Sequence, residues 1–133
     1  MSGPLLDRID LHVEVPAVSL RELRSGPGEP TRIVAERVAA ARLTQQERFG
    51  SAASTPVNAA MGPEDLRRWC TVDDAGRSML DRSFEKLGLS ARALDRILKV
   101  ARTIADLGGS ETIRSGHVAE AIQYRSLDRR VAV

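Results

Sequence analysis

The sequence predicts a mainly α protein, a small bundle of four to five helices preceded by a single orphan β-strand. Three observations carry this expectation. Apolar residues recur at the helical period in the C-terminal half, best at Leu94, Ile97, Leu98, Ala101, Ile104 and Ala105. Only one stretch, Ile9 to Val15, alternates apolar and polar residues. Aromatic residues make up 3% of the 133, so the core is expected to be aliphatic, as in a helical bundle.

The alternating stretch places Ile9, Leu11, Val13 and Val15 on one face and Asp10, His12 and Glu14 on the other. Pro16 closes it. With no second strand of this quality, its sheet partners are expected in sequence beyond these residues, and without them the strand is expected to be poorly ordered. Ser19-Leu20-Arg21-Glu22 reads as a capping box that starts a short helical turn. The Gly/Pro-rich run from Ser25 to Pro30 is a loop. A long helix is expected from Thr31 to Arg48, with Val34, Val38 and Ala41 on its inner stripe and Gly50 as its stop. The small residues from Gly50 to Gly62 form a long connection, expected to be mobile.

Pro63 suits the first position of the next helix, followed by Glu64 and Asp65 in its first turn. Thr71 is expected to cap a helix running to Leu87, with Gly88 after it. Ser90 starts the strongest helix, which Gly108-Gly109 ends, and Ser115 starts the last one, with Val118, Ala121 and Ile122 inward. The chain thus divides into residues 1–16 (strand and preceding turn), 17–30 (linker with a short helical turn), 31–128 (helical domain) and 129–133 (a frayed tail).

Composition narrows the function classes. Basic residues number 20 against 18 acidic ones, a net charge of +2, with no dominant basic block, so nucleic-acid binding is only weakly indicated. All but Lys86 and Lys99 of the basic residues are arginine. Cys70 is the single cysteine, which rules out an internal disulfide and reads as a small packing residue. No apolar run approaches the roughly 20 residues of a membrane span, and a cytoplasmic setting is expected. His12, on the strand's polar face, and His117, in a first helical turn, lack the spaced partners of a metal site. There is no phosphate-binding loop of the G-x-x-x-x-G-K-[ST] type and no apolar strand ending in paired acids. Asp73-Asp74 reads as a helix start.

Two arginines are placed more informatively. Arg8 follows a Gly-Pro turn and directly precedes the strand, at the rim of any sheet the strand joins. Arg92 falls in the first turn of the strongest helix, whose apolar stripe leaves Arg92, Arg96 and Lys99 on the outer side. A guanidinium on a rigid element matches phosphate oxygens with its fork. The residues alone leave plainer roles open: a helical pair of Arg92 with Asp95, and a turn salt bridge of Arg8 with Asp7 or Asp10.

Four segments, SGPLLDRIDLHVEVP (2–16), RVAAARLTQQERFG (37–50), LSARALDRILKVARTIADL (89–107) and IRSGHVAEAIQYRSLDRR (113–130), resemble the C-terminal region of the Mg-chelatase-like AAA+ ATPases, nearest the ComM/YifB branch. The resemblance covers essentially the whole chain. It implies that Ile9–Val15 is the last strand of an AAA+ core built by upstream sequence, and that residues from about Ala17 onward form the helical lid over the nucleotide. It implies that Arg8 is an arginine finger and that Arg92 is the sensor-2 arginine, with Arg96 and Arg102 as nucleotide-binding alternatives in the same Arg-rich helix. ATP and Mg²⁺ are then expected in a full-length parent, and neither on these residues alone, which lack both Walker elements. The implied partners are the AAA+ core, neighbouring subunits of a homo-oligomeric ring and, through the parent, DNA. Some relatives insert Mg²⁺ into protoporphyrin, and ComM-like members resemble branch-migration motors of natural transformation. A stand-alone module that binds nucleic acid or protein is the competing reading.

Overall fold

The computed structural model describes residues 3–125, and the predicted tail at 129–133 and the end of the last helix lie outside them. Among the described residues there are seven α-helices: α1 (Gly3–Asp7), α2 (Leu20–Arg24), α3 (Thr31–Phe49), α4 (Pro63–Trp69), α5 (Asp74–Leu87), α6 (Ala91–Leu107) and α7 (Ser115–Gln123). A short 3₁₀ turn, Asn58–Ala60, interrupts the connection between α3 and α4. The helical architecture agrees with the sequence expectation.

The helix ends follow side-chain chemistry. Ser19 and Glu22 close the capping box of α2, with Glu22 N–H donating to Ser19 Oγ (3.2 Å) and Ser19 N–H to the Glu22 carboxylate (2.8 Å). Ser90 Oγ accepts from Ala93 N–H at 3.1 Å and starts α6. Asp73, rather than the expected Thr71, caps α5 by accepting from Gly76 N–H at 2.8 Å. Thr71 is drawn elsewhere: its carbonyl accepts Ile113 N–H (3.2 Å) while Asp73 N–H donates to Ile113 O (3.1 Å). This single parallel bridge, Val72 to Ile113, ties the α4–α5 connection to the α6–α7 connection.

The core is aliphatic. Helix α6 lies at its centre, with Ala93, Ile97, Ala101 and Ala105 buried at consecutive turns; it packs on α3, α4 and α7, and α5 packs on α7. Leu94, Leu98 and Ile104, expected inside, are only partly buried beside this line. Ile97, Ala101, Ala105, Ile113 and Val118 have no exposed surface. Each such Ile or Leu contributes about 1.5–3 kcal/mol by leaving water. The inner stripe expected on α3 is largely absent. Val34 and Val38 are exposed, and Ala41 and Gln45 alone are buried. The first half of that helix is exposed, and Arg37 on it pairs with Glu29 of the preceding loop (2.8 Å).

In the N-terminal segment Gly3–Asp7 is helical rather than a turn, and among the described residues Ile9–Val15 pairs with no strand, its sheet partners having been expected outside them. Leu11, Val13 and Val15, predicted to share a buried face, are exposed, whereas His12, predicted on the polar face, is buried. The reason is the backbone's need for partners. With no neighbouring strand, His12 N–H donates to Tyr124 O (2.6 Å) at the end of α7, and the Arg125 guanidinium donates to the carbonyls of Ile9 and Leu6. Leu6 is buried at this junction.

One polar cluster joins the helices. Arg48, at the end of α3, donates both terminal nitrogens to Asp106 of α6 (2.6 and 2.8 Å) and one of them to Asn58 Oδ1 (2.8 Å). Asn58 Nδ2 donates to Asp106 (2.8 Å) and Thr103 (3.1 Å), and its backbone N–H donates to Gln45 Oε1 (2.8 Å). Arg102 lies on the other side of Asp106, with Nε 3.2 Å from Oδ1. Its terminal nitrogens donate to the carbonyls of Trp69 (3.2 Å), Ser110 (2.6 Å) and Glu111 (2.8 Å). The connection expected to be mobile thus contains a residue, Asn58, that is 1% exposed.

Three outcomes follow from this packing. A Cβ at Gly76 meets Val72 Cγ1 at 2.5 Å and Asp73 Oδ1 at 2.9 Å, so Gly76→Ala is expected to lower stability by about 1–3 kcal/mol in urea unfolding. Asp106→Ala leaves two buried guanidinium groups without their carboxylate and is expected to cost about 3–5 kcal/mol by the same measurement. Burial pushes the Cys70 thiol up from 9.0 to about 11, against the pull of nearby Arg102 and Arg48. A raised folded-state value favours folding below the unfolded thiol's pKa, and that contribution is lost as pH rises through the folded value. Between pH 9 and 11 the native chain should therefore lose more stability than Cys70→Ala does, and parallel pH profiles would disprove this.

Candidate functional site

Helix α6 determines where its arginines can act. Burial of Ala93, Ile97 and Ala101 fixes its rotation, and the Ser90 cap fixes its start. Arg92, one residue before Ala93, is exposed in the first turn. Among the described residues it has no ion pair, so the helical pair with Asp95 is not formed.

Arg96, one turn further on, is only partly exposed and forms an ion pair with Asp10 of the N-terminal segment. Arg102 is 3% exposed, enclosed by Asp106 and three backbone carbonyls. Removal from water lowers its pKa, an effect that the Asp106 carboxylate opposes. An arginine nevertheless keeps its proton, so Arg102 is a charged strut inside the fold.

Arg8 directly follows α1, is exposed, and donates its backbone N–H to Leu5 O (3.1 Å). Asp10, one of the two carboxylates left open as its partner, is engaged by Arg96. The structure therefore brings the segment carrying Arg8 onto the helix carrying Arg92 and Arg96, with Arg125 as a second fastening through Ile9 and Leu6. The Arg96–Asp10 contact joins residues 86 positions apart, and no local pattern announces it. The same holds for the Arg48–Asp106 pair, although an arginine near the end of α3 and an acid inside the stripe of α6 are both visible in the sequence.

Among the described residues, no group of three or more His, Cys, Asp or Glu side chains is arranged to hold a metal ion. His117 accepts Arg114 N–H through Nδ1 (3.0 Å) and so serves the start of α7. No described helix is long and apolar enough to cross a membrane.

Comparison with known proteins now bears on the geometry. Residues 28–125 match the family model described as "Magnesium chelatase, subunit ChlI C-terminal". The chain is 42% identical over 131 residues to "Competence protein ComM" of Haemophilus influenzae, an overlap of 97% of this chain and 25% of that protein. It is 40% identical over 131 residues to "Uncharacterized protein YifB" of Escherichia coli, with the same coverage of both. An uncharacterized protein of Mycobacterium tuberculosis is 34% identical over 130 residues, covering 98% of this chain and 26% of that protein. The chain thus spans about a quarter of the length of the curated relatives it matches. A family match reaching from the loop before α3 to the end of the described helices, together with the identity to ComM and YifB, shows that this chain belongs to the magnesium chelatase ChlI C-terminal family.

Proposed function

We propose that this chain is the lid region of a Mg-chelatase-like AAA+ ATPase that works as a homo-oligomeric ring, with Arg92 as the sensor-2 arginine and Arg8 as the arginine finger. One observation carries the reading: Arg92 is the α6 arginine left free at the start of the helix. Arg96 is engaged with Asp10, and the donors of Arg102 are turned to the protein's own carbonyls. Of the three α6 arginines considered, Arg92 best fits a nucleotide phosphate.

In this reading the Arg92 fork binds the terminal phosphate of its own subunit's ATP and so links the nucleotide to the orientation of the lid. Arg8, exposed beside α1, reaches the nucleotide of a neighbouring subunit and stabilises the negative charge that builds on the transferring phosphoryl group. The described residues offer no cluster for Mg²⁺, and we assign them no step through the ion. The likeness to a competence protein supports DNA as the material the ring works on, through branch migration in natural transformation, and the cytoplasm as its place.

Full-length protein tests the reading. Rings of Arg8→Ala subunits are expected to bind ATP while hydrolysis falls about 10³–10⁵-fold, and mixing with subunits defective in ATP binding should show that the finger acts across the interface. Arg92→Ala is expected to reduce hydrolysis in its own subunit, while Arg82→Ala, on the exposed side of α5, leaves it unchanged. Undiminished turnover by Arg8→Ala rules out the finger, and undiminished turnover by Arg92→Ala rules out the sensor.

A further inference from the structure

A second cationic site lies at the opposite end of α6. Ten residues separate Arg92 from Arg102, about 15 Å along the helix axis. There a cavity of about 390 Å³ opens between the ends of α3 and α4 and the Gly109–Glu111 turn, with Arg48, Arg68, Trp69, Thr71 and Arg102 among its lining residues.

Its charges do not balance. Arg48 and Arg102 are both buried and share one carboxylate, Asp106, so the floor holds two positive charges against one negative. Backbone carbonyls satisfy Arg102's terminal N–H groups but supply no counter-charge. Its Nε, though close to Asp106, makes no aligned hydrogen bond. At the rim, Arg68 is exposed and lies over the Trp69 ring, 4.7 Å from its centroid, a stacked position that orders a guanidinium. Arg68 has no ion pair among the described residues. The Thr71 side chain, also exposed on the lining, makes no hydrogen bond there. Glu111, exposed, is the one further acid of the lining, so three arginines face two acids there.

We infer that this cavity binds a phosphate group through the fork of Arg68 and the hydroxyl of Thr71, over the surplus positive charge of the Arg48–Asp106–Arg102 floor. The floor arginines act through their field, because their terminal donors are already engaged. Three arginines against Asp106 and Glu111 leave the lining net positive, and the Arg68 fork with the Thr71 hydroxyl offers several donors, which suits the multiple oxygens of inorganic phosphate or a phosphate monoester better than a carboxylate. This site is independent of the roles proposed for Arg8 and Arg92.

Trp69 is the chain's only tryptophan, so its fluorescence reports on the cavity directly. The full chain is titrated with inorganic phosphate and, separately, with AMP, each at constant ionic strength against sodium chloride. Backbone amide shifts are followed in parallel. The expected result is a saturable change centred on Arg68–Thr71 and Ser110–Glu111, weakened about tenfold or more in Arg68→Gln and unchanged in Arg82→Gln. Circular dichroism checks that the exposed substitutions leave the fold intact. Tighter binding of AMP identifies a monoester as the natural source, and equal or weaker binding identifies the free ion. A response no different from chloride, saturation unaffected by Arg68→Gln, or shifts confined to the start of α6 around Arg92 would each overturn the inference.

Discussion

The fold depends on one buried carboxylate. Asp106 accepts a two-pronged pair from Arg48, a hydrogen bond from Asn58 and the charge of Arg102. These contacts bind α3 and the 3₁₀ turn to α6, and Arg102 extends them to Trp69 at the end of α4 and to the turn after α6. Ala41 of α3 and Ala101 and Ala105 of α6 are buried, and side chains this small remove little apolar area each. The mutual orientation of these helices is therefore set by directional bonds that tolerate little displacement. A buried pair of this kind is a weak source of net stability, because its desolvation offsets much of its attraction. Its value here is geometric, since it specifies which helices meet and at what register.

Around this junction the arginines divide into two classes. Arg48, Arg96, Arg102 and Arg125 are drawn into the protein's own carbonyls and carboxylates. Arg8, Arg68 and Arg92 remain exposed at positions where an anion can approach. An Arg-rich composition thus hides two kinds of work, and burial rather than residue type separates them. Arg96 and Arg125 fasten the segment bearing Arg8 against α6 and α7, so the finger and sensor proposed for this family member sit on connected elements.

Much of the helical layout was legible before the structure. Ser90 and Gly108 mark α6, Pro63 marks α4 and Ser19 marks α2, because caps and breakers are local chemistry that needs no distant partner. The cap of α5 lies two positions beyond the expected Thr71, since the Thr71 carbonyl accepts Ile113 N–H beside the Val72–Ile113 bridge, which only the folded chain supplies. Val34 and Val38 of α3 have the helical spacing of an inward stripe, but among the described residues nothing covers them. Of the candidate site, the position of Arg92 could be read from the apolar period of α6. The engagement of Arg96 by Asp10 and the enclosure of Arg102 could not.

By itself the sequence determined where α2, α3, α4 and α6 start, that the core is aliphatic, and that this chain shares its pattern with the Mg-chelatase-like family. These are properties of neighbouring residues, governed by backbone dihedrals and side-chain periods. Only the tertiary structure decided where the backbone of Ile9–Val15 finds partners among the described residues, that His12 lies inside, and which arginines stay exposed. A strand exists through hydrogen bonds to another segment, and a charge is buried or exposed according to what packs over it. Both depend on contacts between residues far apart in the chain.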